Sequence, residues 1–246
     1  MKFGLKLHTS NYLLYRDAID AIAAGSADYL ELTYLSSELT DLELLREANI
    51  PVVLHSAHAG HGVNYSGDKV EKNLRELHSV ISAADLLDAK HIIVHPDRGN
   101  IENFVRVFSM VTDSRLIVEN MPKAAKAGGD CVGFHYGELK YLMDMCSCGL
   151  CLDFGHAFKA ANSIGEDFIS FCEQLIALGP TMFHIAQGGR ATEQDEHLEL
   201  YQGDIDLPYV KGLIDSVDRE FFVTLEVPFY DGINNALRSI EYFKEL

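Results

Sequence analysis

Six apolar runs in this chain each end on an ionisable side chain. Val52-Val53-Leu54 ends on His55, Ile92-Ile93-Val94 on His95, Leu116-Ile117-Val118 on Glu119, Cys151-Leu152 on Asp153, Met182-Phe183 on His184 and Val223-Thr224-Leu225 on Glu226. His156 follows Asp153 in a D-x-x-H pattern, and Asp195-Glu196-His197 supplies a D-x-H pair. Carboxylates held together without compensation repel one another and are driven toward protonation, a conflict that a divalent cation removes. Imidazole mixed with carboxylate suits zinc, and also manganese, iron or cobalt, whereas an all-oxygen set would indicate magnesium or calcium. A lone histidine at a strand end is ordinarily a hydrogen-bonded core residue. Six strand ends occupied in this way are not explained by packing, because unpaired buried ionisable groups cost several kcal/mol each.

Such residues have to be carried to one place by regular elements. Runs rich in Val, Ile, Leu and aromatic residues recur about every thirty residues, each followed by helical spacing. The expected strands are 2–8, 29–33, 52–55, 91–95, 115–119, 149–153, 182–186 and 221–226; the expected helices include 12–24, 69–88, 101–111, 136–145, 166–178, 207–215 and 232–246. Eight strand and helix pairs in a chain of this length predict an α/β protein, a single (β/α)8 TIM barrel. The alternative is a doubly wound open sheet, whose usual G-x-G-x-x-G or G-x-x-x-x-G-K turn is missing here. No linker or internal repeat divides the chain, so one domain is expected over residues 1–246. In a barrel the carboxyl ends of the strands share one face, where catalytic residues collect.

Acidic residues outnumber basic ones 37 to 20, for a formal charge of -17, which excludes a broadly basic nucleic-acid-coating surface. A local phosphate site survives that argument, since bound metal ions would offset the acidic charge where the phosphate docks. No secretory leader and no membrane-spanning apolar run is read, and the odd set of five cysteines is expected to be reduced thiols in a cytoplasmic protein. Cys146, Cys148 and Cys151 have ligand-like spacing but read better as small packed side chains, and His78, His91 and His135 as structural or solvated. His58 and His61, in the Gly-containing loop after the third strand, are placed to overhang a pocket and contact substrate.

The residues resemble the xylose isomerase-like TIM-barrel superfamily and, within it, the endonuclease IV family, from His8-Thr9-Ser10 on the first strand to Leu225-Glu226-Val227-Pro228 on the last. The more specific matches are His95-Pro96, the D-x-x-H of residues 153–156, and the stretch from Asp195-x-His197 to Gly203. The resemblance implies two or three metal ions, zinc first and manganese or another divalent metal as substitutes. His55 and His95 would hold one ion, with Glu119 bridging to a second; Asp153, His184 and Glu226 would complete the second, and His156, Asp195 and His197 the third. It implies phosphoester hydrolysis by activated water, with Glu119 and Glu226 at the catalytic centre and His8 and His58 near the substrate. The substrate would be abasic DNA, a phosphorylated small molecule or a sugar; no protein partner is read from the sequence.

Two departures matter. The loop after the second strand, residues 33–40, contains no Lys or Arg, and His55-Ser56-Ala57-His58 lacks the tyrosine found nearby in that family. Lys and Arg supply most nonspecific DNA affinity, so a small phosphorylated sugar or nucleotide suits this surface better than duplex DNA. The related sugar isomerases and epimerases use one divalent metal on two Glu, one Asp and one His, here Glu119, Glu226, Asp153 and His184, with the glutamates moving a proton beside a carbonyl and Arg190 available to hold substrate. A metal-binding or sensor protein without turnover is the non-enzymatic alternative.

Overall fold

The apolar runs become strands because both their faces are covered, by helices outside and by the closed interior of a barrel within. The protein, described here by a computed structural model for residues 1–38 and 40–246, forms a closed barrel of parallel strands in the order β1 to β8. The strands are β1 Lys2–His8, β2 Tyr29–Tyr34, β3 Val52–Ser56, β4 Ile92–Val94, β5 Leu116–Glu119, β6 Gly149–Asp153, β7 Met182–Ile185 and β8 Phe222–Leu225. The barrel closes through Lys2 paired with Phe222. Around it run α1 Tyr15–Ala23, α2 Leu42–Ala48, α3 Val70–Leu86, α4 Ile101–Phe108, α5 Tyr136–Cys146, α6 Phe154–Ile164, α7 Phe168–Ile176, α8 Leu207–Asp215 and α9 Asn234–Glu245. Leu39, in the loop after β2, lies outside the described residues. No helix among the described residues is long and apolar enough to cross a membrane.

Two helices are absent from the expected set. α2 is a short segment started by the Asp41 side chain, which accepts from Leu44 N at 3.0 Å. α6 begins immediately after β6, without an intervening loop, because Asp153 caps it by accepting from His156 N at 2.6 Å. At the other end of the expected first helix, residues 9–14 form a 3-10 turn, and α1 starts only at Tyr15.

Along each strand every second side chain faces the barrel interior. Tyr29, Val53, Ile93, Ile117, Cys151 and Met182 form one buried apolar layer, with Phe222 packed against it. Two residues further along the same strands come Glu31, His55, His95, Glu119, Asp153 and His184, all buried. The apolar layer thus closes the barrel floor beneath a polar one, and keeps water away from the lower side of the ionisable groups.

Gly4 belongs to the lower layer, where any Cβ would collide with the Tyr29 ring, and the Tyr29 hydroxyl is held by Thr224 Oγ1 at 2.7 Å across the barrel. Gly4→Ala is expected to destabilise the protein by about 1–3 kcal/mol through overpacking, measured as a lowered urea midpoint at unchanged slope. An unchanged midpoint would show that the ring can swing aside.

Candidate metal centre

All eight strands contribute to the polar layer. Besides the six side chains singled out by the sequence, β1 supplies Lys6 and β2 supplies Glu31, which are register partners. Sequence reasoning missed both because it inspected strand ends, and these two stand before the ends of the two longest strands. A count of two from Gly4 and from Tyr29 would have found them. Lys6 Nζ lies 2.9 Å from Glu31 Oε1 and also pairs with Glu226. The second Glu31 oxygen lies 2.9 Å from His184 Nε2.

At the centre stands Glu119, 1 % exposed. Its Oε2 faces three imidazole nitrogens: His95 Nε2 at 3.1 Å, His184 Nδ1 at 3.3 Å and His55 Nε2 at 3.4 Å. Its Oε1 lies 3.3 Å from His156 Nδ1. Fixed acceptors decide which ring nitrogens carry protons. His55 Nδ1 donates to the Ser56 carbonyl at 2.8 Å, and His156 Nδ1 to the Asn120 carbonyl at 2.8 Å. His184 Nε2 donates to the Glu31 carboxylate. The opposite nitrogens, His55 Nε2, His156 Nε2 and His184 Nδ1, are left for whatever occupies the cavity side. Asn120, buried directly after Glu119, also holds the Asp153 backbone through its side chain, accepting at 2.7 Å and donating to the Asp153 carbonyl at 2.9 Å.

The structure brings the residues of the three expected groupings together to different degrees. His55, His95 and Glu119 form a compact set able to hold a metal ion. His184 Nδ1 lies 3.2 Å from Glu226 Oε1 and 4.0 Å from Asp153 Oδ2, joining the four residues expected around a second ion. The third group is looser: His156 Nε2 is 3.8 Å from Asp195 Oδ1, and His197 Nε2 is 3.3 Å from Asp195 Oδ2 and 3.1 Å from Glu226 Oε2. Lys126 also pairs with Asp195 Oδ2, at 3.0 Å.

Burial and charge compete throughout this layer. Burial would raise the Glu119 carboxyl, but His95 and His184 hold it well below the usual carboxylate range. The same opposition leaves Glu31 at about 2, with His184 and Lys6 prevailing over burial. Asp153 goes the other way: burial pushes it up to about 6 against the pull of His156. Burial, reinforced by Lys6, lowers His55 to about 4. Burial also opposes charge on His156 and His197, yet Asp153 lifts the first well above its ordinary value, and Glu226 and Asp195 raise the second.

A cation fits this donor set. Glu119 Oε2, Asp153 Oδ2, His184 Nδ1 and Asp195 Oδ1 are buried and have no hydrogen-bond partner. An orphaned buried polar atom costs roughly 1–3 kcal/mol. Three of these gather together, His184 Nδ1 lying 3.3 Å from Glu119 Oε2 and 4.0 Å from Asp153 Oδ2, while Asp195 Oδ1 faces His156 Nε2 at 3.8 Å. Above them opens a cavity of about 570 Å³, lined at its floor by Lys6 and at its mouth by His8, His58, Lys126 and Phe229. The His58 ring sits 4.9 Å from that of His95 and 4.2 Å from that of His61. Asp97 joins His58 and His95 in a second compact group, its carboxyl pushed by burial up to about 6 and accepting from Ala59 N at 3.0 Å.

Arg190 departs from its expected place at a substrate. Its guanidinium lies 5.2 Å over the Phe158 ring and donates to Asn162 Oδ1 at 3.1 Å, both on α6, and it is not among the residues lining the cavity. All five cysteines are free thiols. Cys146 and Cys148 pack against the outer core, whereas Cys151 lies in the barrel's apolar layer.

Known proteins share this architecture. The chain is 27% identical over 207 residues to endonuclease 4 of Thermus thermophilus, covering 78% of this chain and 75% of that relative. It is 25% identical over 225 residues to a probable endonuclease 4 of Halothermothrix orenii, covering 80% and 79%. Among solved structures, an endonuclease IV from Thermus thermophilus superposes with a TM-score of 0.76 at 22% identity, covering 100% of this chain and 99% of that one. A D-tagatose 3-epimerase-like protein superposes equally well, with a TM-score of 0.75 at 20% identity over 100% and 96%. The family model described as the xylose isomerase-like TIM barrel matches residues 19–246, and the chain belongs to that family.

Proposed function

We propose that the chain is a metal-dependent hydrolase of phosphoesters, acting on a small phosphorylated sugar or nucleotide rather than on duplex DNA. The observation that carries this reading is Glu119, whose single buried, unpartnered oxygen faces imidazoles from β3 and β7 and from the end of β4. A carboxylate so placed suits a bridge between cations, which a one-metal site does not need. His55 and His95 would share the first ion with Glu119, Asp153, His184 and Glu226 would complete the second, and His156, Asp195 and His197 would hold a third. Zinc fits these nitrogen and oxygen donors, with manganese or another divalent metal as a substitute. When bound, such ions supply acidified water and neutralise charge developing on phosphate oxygens.

The chain's own groups do the rest. Burial opposes a charge on Lys6, but Glu226 and Glu31 keep it protonated well above its ordinary value, so it is a permanent cation on the cavity floor. It attracts an anionic substrate and strengthens the hydrogen bonds it donates to it. Burial lowers His8 and His58, which therefore contact substrate at the mouth as neutral rings. The cavity has the size of a small-ligand site. Its lining cations, Lys6 and Lys126, both lie against carboxylates, which leaves little basic surface for a DNA backbone.

A sugar isomerase or epimerase is the second reading. It is favoured by the closeness of Glu119 and Glu226 to His184 Nδ1, at 3.3 and 3.2 Å, with Asp153 at 4.0 Å, which gathers the two Glu, one Asp and one His that a single ion would take. Metal counting separates the two. Protein purified without chelator is expected to carry more than one zinc or manganese ion per chain by elemental analysis, with Glu119→Gln and His55→Ala each losing metal. A single ion, kept in His55→Ala and His197→Ala, would move the assignment to the isomerase; no bound metal would sink both.

Two further outcomes follow from the electrostatics. Metal binding must displace protons from His156, His184 and His197, all raised in the metal-free protein, and needs ionised Asp153. Zinc affinity should therefore fall as pH drops from about 8 through 6, with net proton release seen by titration calorimetry in buffers of different ionisation enthalpy. A flat profile would contradict the ligand set. Lys6→Met is expected to keep the metal count but to weaken inorganic phosphate, used as a competitive probe, by about tenfold or more; undiminished phosphate binding would remove Lys6 from the substrate site.

A further inference from the structure

Asp153, His156 and Lys159 recur at every third position from the start of α6, so they lie on one face of it. Lys159 is 1 % exposed, and its ammonium donates three hydrogen bonds: to Gly189 O at 2.6 Å, to Thr192 O at 3.0 Å and to Glu196 Oε2 at 2.6 Å. All three acceptors belong to the loop between β7 and α8, the loop that carries Asp195 and His197. Glu196 Oε2 also accepts from Gly189 N at 3.1 Å, tying the two limbs of the loop together. The backbone has made room for the lysine: a Cβ on Gly188 would stand 2.9 Å from Lys159 Cε.

Glu196 lies between the two candidate ligands, and the three side chains divide. Glu196 points down to Lys159, while Asp195 and His197 point toward His156 and Glu226. Elsewhere the loop is held by Gln187, which exchanges hydrogen bonds with Ile205 at 2.9 and 3.1 Å and pairs with Leu198, by Asp204, which accepts from Arg190 N at 2.8 Å, and by Lys126, which donates to Asp195 Oδ2 at 3.0 Å. Lys126 reaches Asp195 from an exposed position, whereas Lys159 is itself fully buried and holds Glu196, the residue between Asp195 and His197. A buried ammonium also tolerates no shift of its partners, since a lost acceptor would leave a charge in the core.

We propose that Lys159 is a positioning residue for the third cation site: by clamping Glu196 it aims Asp195 and His197 at His156. One helix then carries ligands of two ions and the support for the rest of the third. This rests on the multinuclear reading above, but the clamp is testable without metal.

The test uses Lys159→Met, which keeps the length of the side chain and removes its charge, and Glu196→Gln, a milder change at a partly exposed residue that serves if Lys159→Met does not fold. Folding is checked by circular dichroism and thermal melting. In metal-free protein, tryptic cleavage after the exposed Arg190 is expected to be about tenfold faster or more in Lys159→Met, with Glu196→Gln in between. In metal-loaded protein, elemental analysis should show one ion fewer per chain than wild type. His197→Ala is the comparison, expected to lose the same ion without gaining the cleavage. If wild type takes up more than one ion and Lys159→Met takes up as many and is cut no faster, the clamp is overturned while the multinuclear reading stands. If wild type itself holds a single ion, the multinuclear reading falls and the cation-site part of the proposal falls with it. Faster cleavage would then still support a clamp on the loop alone.

Discussion

The structure is organised around an electrostatic conflict. Glu31, Glu119, Asp153 and Glu226 are buried together in one layer of a barrel, and taking several carboxylates out of water is tolerable only if cations meet them. On one side the protein supplies that cation itself, as Lys6 between Glu31 and Glu226. Around Glu119 it offers imidazoles whose proton positions are fixed from behind by Ser56, Asn120 and Glu31. Glu119 and Asp153 have no lysine or arginine partner among the described residues, and each keeps a buried oxygen without a hydrogen-bond partner. The division between lysine-filled and unpartnered regions of one layer is what gives the cavity its chemical direction.

The scaffold makes this conflict sustainable. Short parallel strands with a period of two put one inward polar residue per strand at nearly the same height, directly above an apolar layer that water does not enter. Low effective dielectric strengthens the attraction between Glu119 and its histidines and, by the same effect, punishes any missing partner. The positions of Asn120 and Asp153 follow from that need for accurate placement. Asn120 grips the Asp153 backbone and His156 Nδ1 at once, so Glu119, Asp153 and His156 cannot shift independently.

Most of the barrel could be read from the chain because a parallel strand buried on both faces is a continuous apolar run, and its end is marked when a histidine or carboxylate interrupts it. That signal fails for β1 and β2. There the polar residue is followed by more strand, Leu7-His8 after Lys6 and Leu32-Thr33-Tyr34 after Glu31, so no strand end points to it. It fails again for α6, because Asp153 reads as the last residue of a strand while also serving as the first cap of a helix. Arg190 shows a different limit. Its spacing from His184 is compatible with the cavity, but the direction of a loop side chain depends on partners such as Phe158 and Asn162 that are distant in sequence.

Asp153 links these threads. One oxygen accepts the His156 amide and so starts α6, while the other is buried, unpartnered and turned to the centre of the layer. The same carboxylate therefore sets where the helix begins and what the cavity can bind. With the helix start fixed, His156 follows at a set angle, and Lys159 one turn further on reaches the β7–α8 loop. A loop of about twenty residues would ordinarily be the least ordered part of a barrel rim. Here the direction of its two candidate ligands descends, through Glu196, Lys159 and α6, from a single capping carboxylate in the barrel wall.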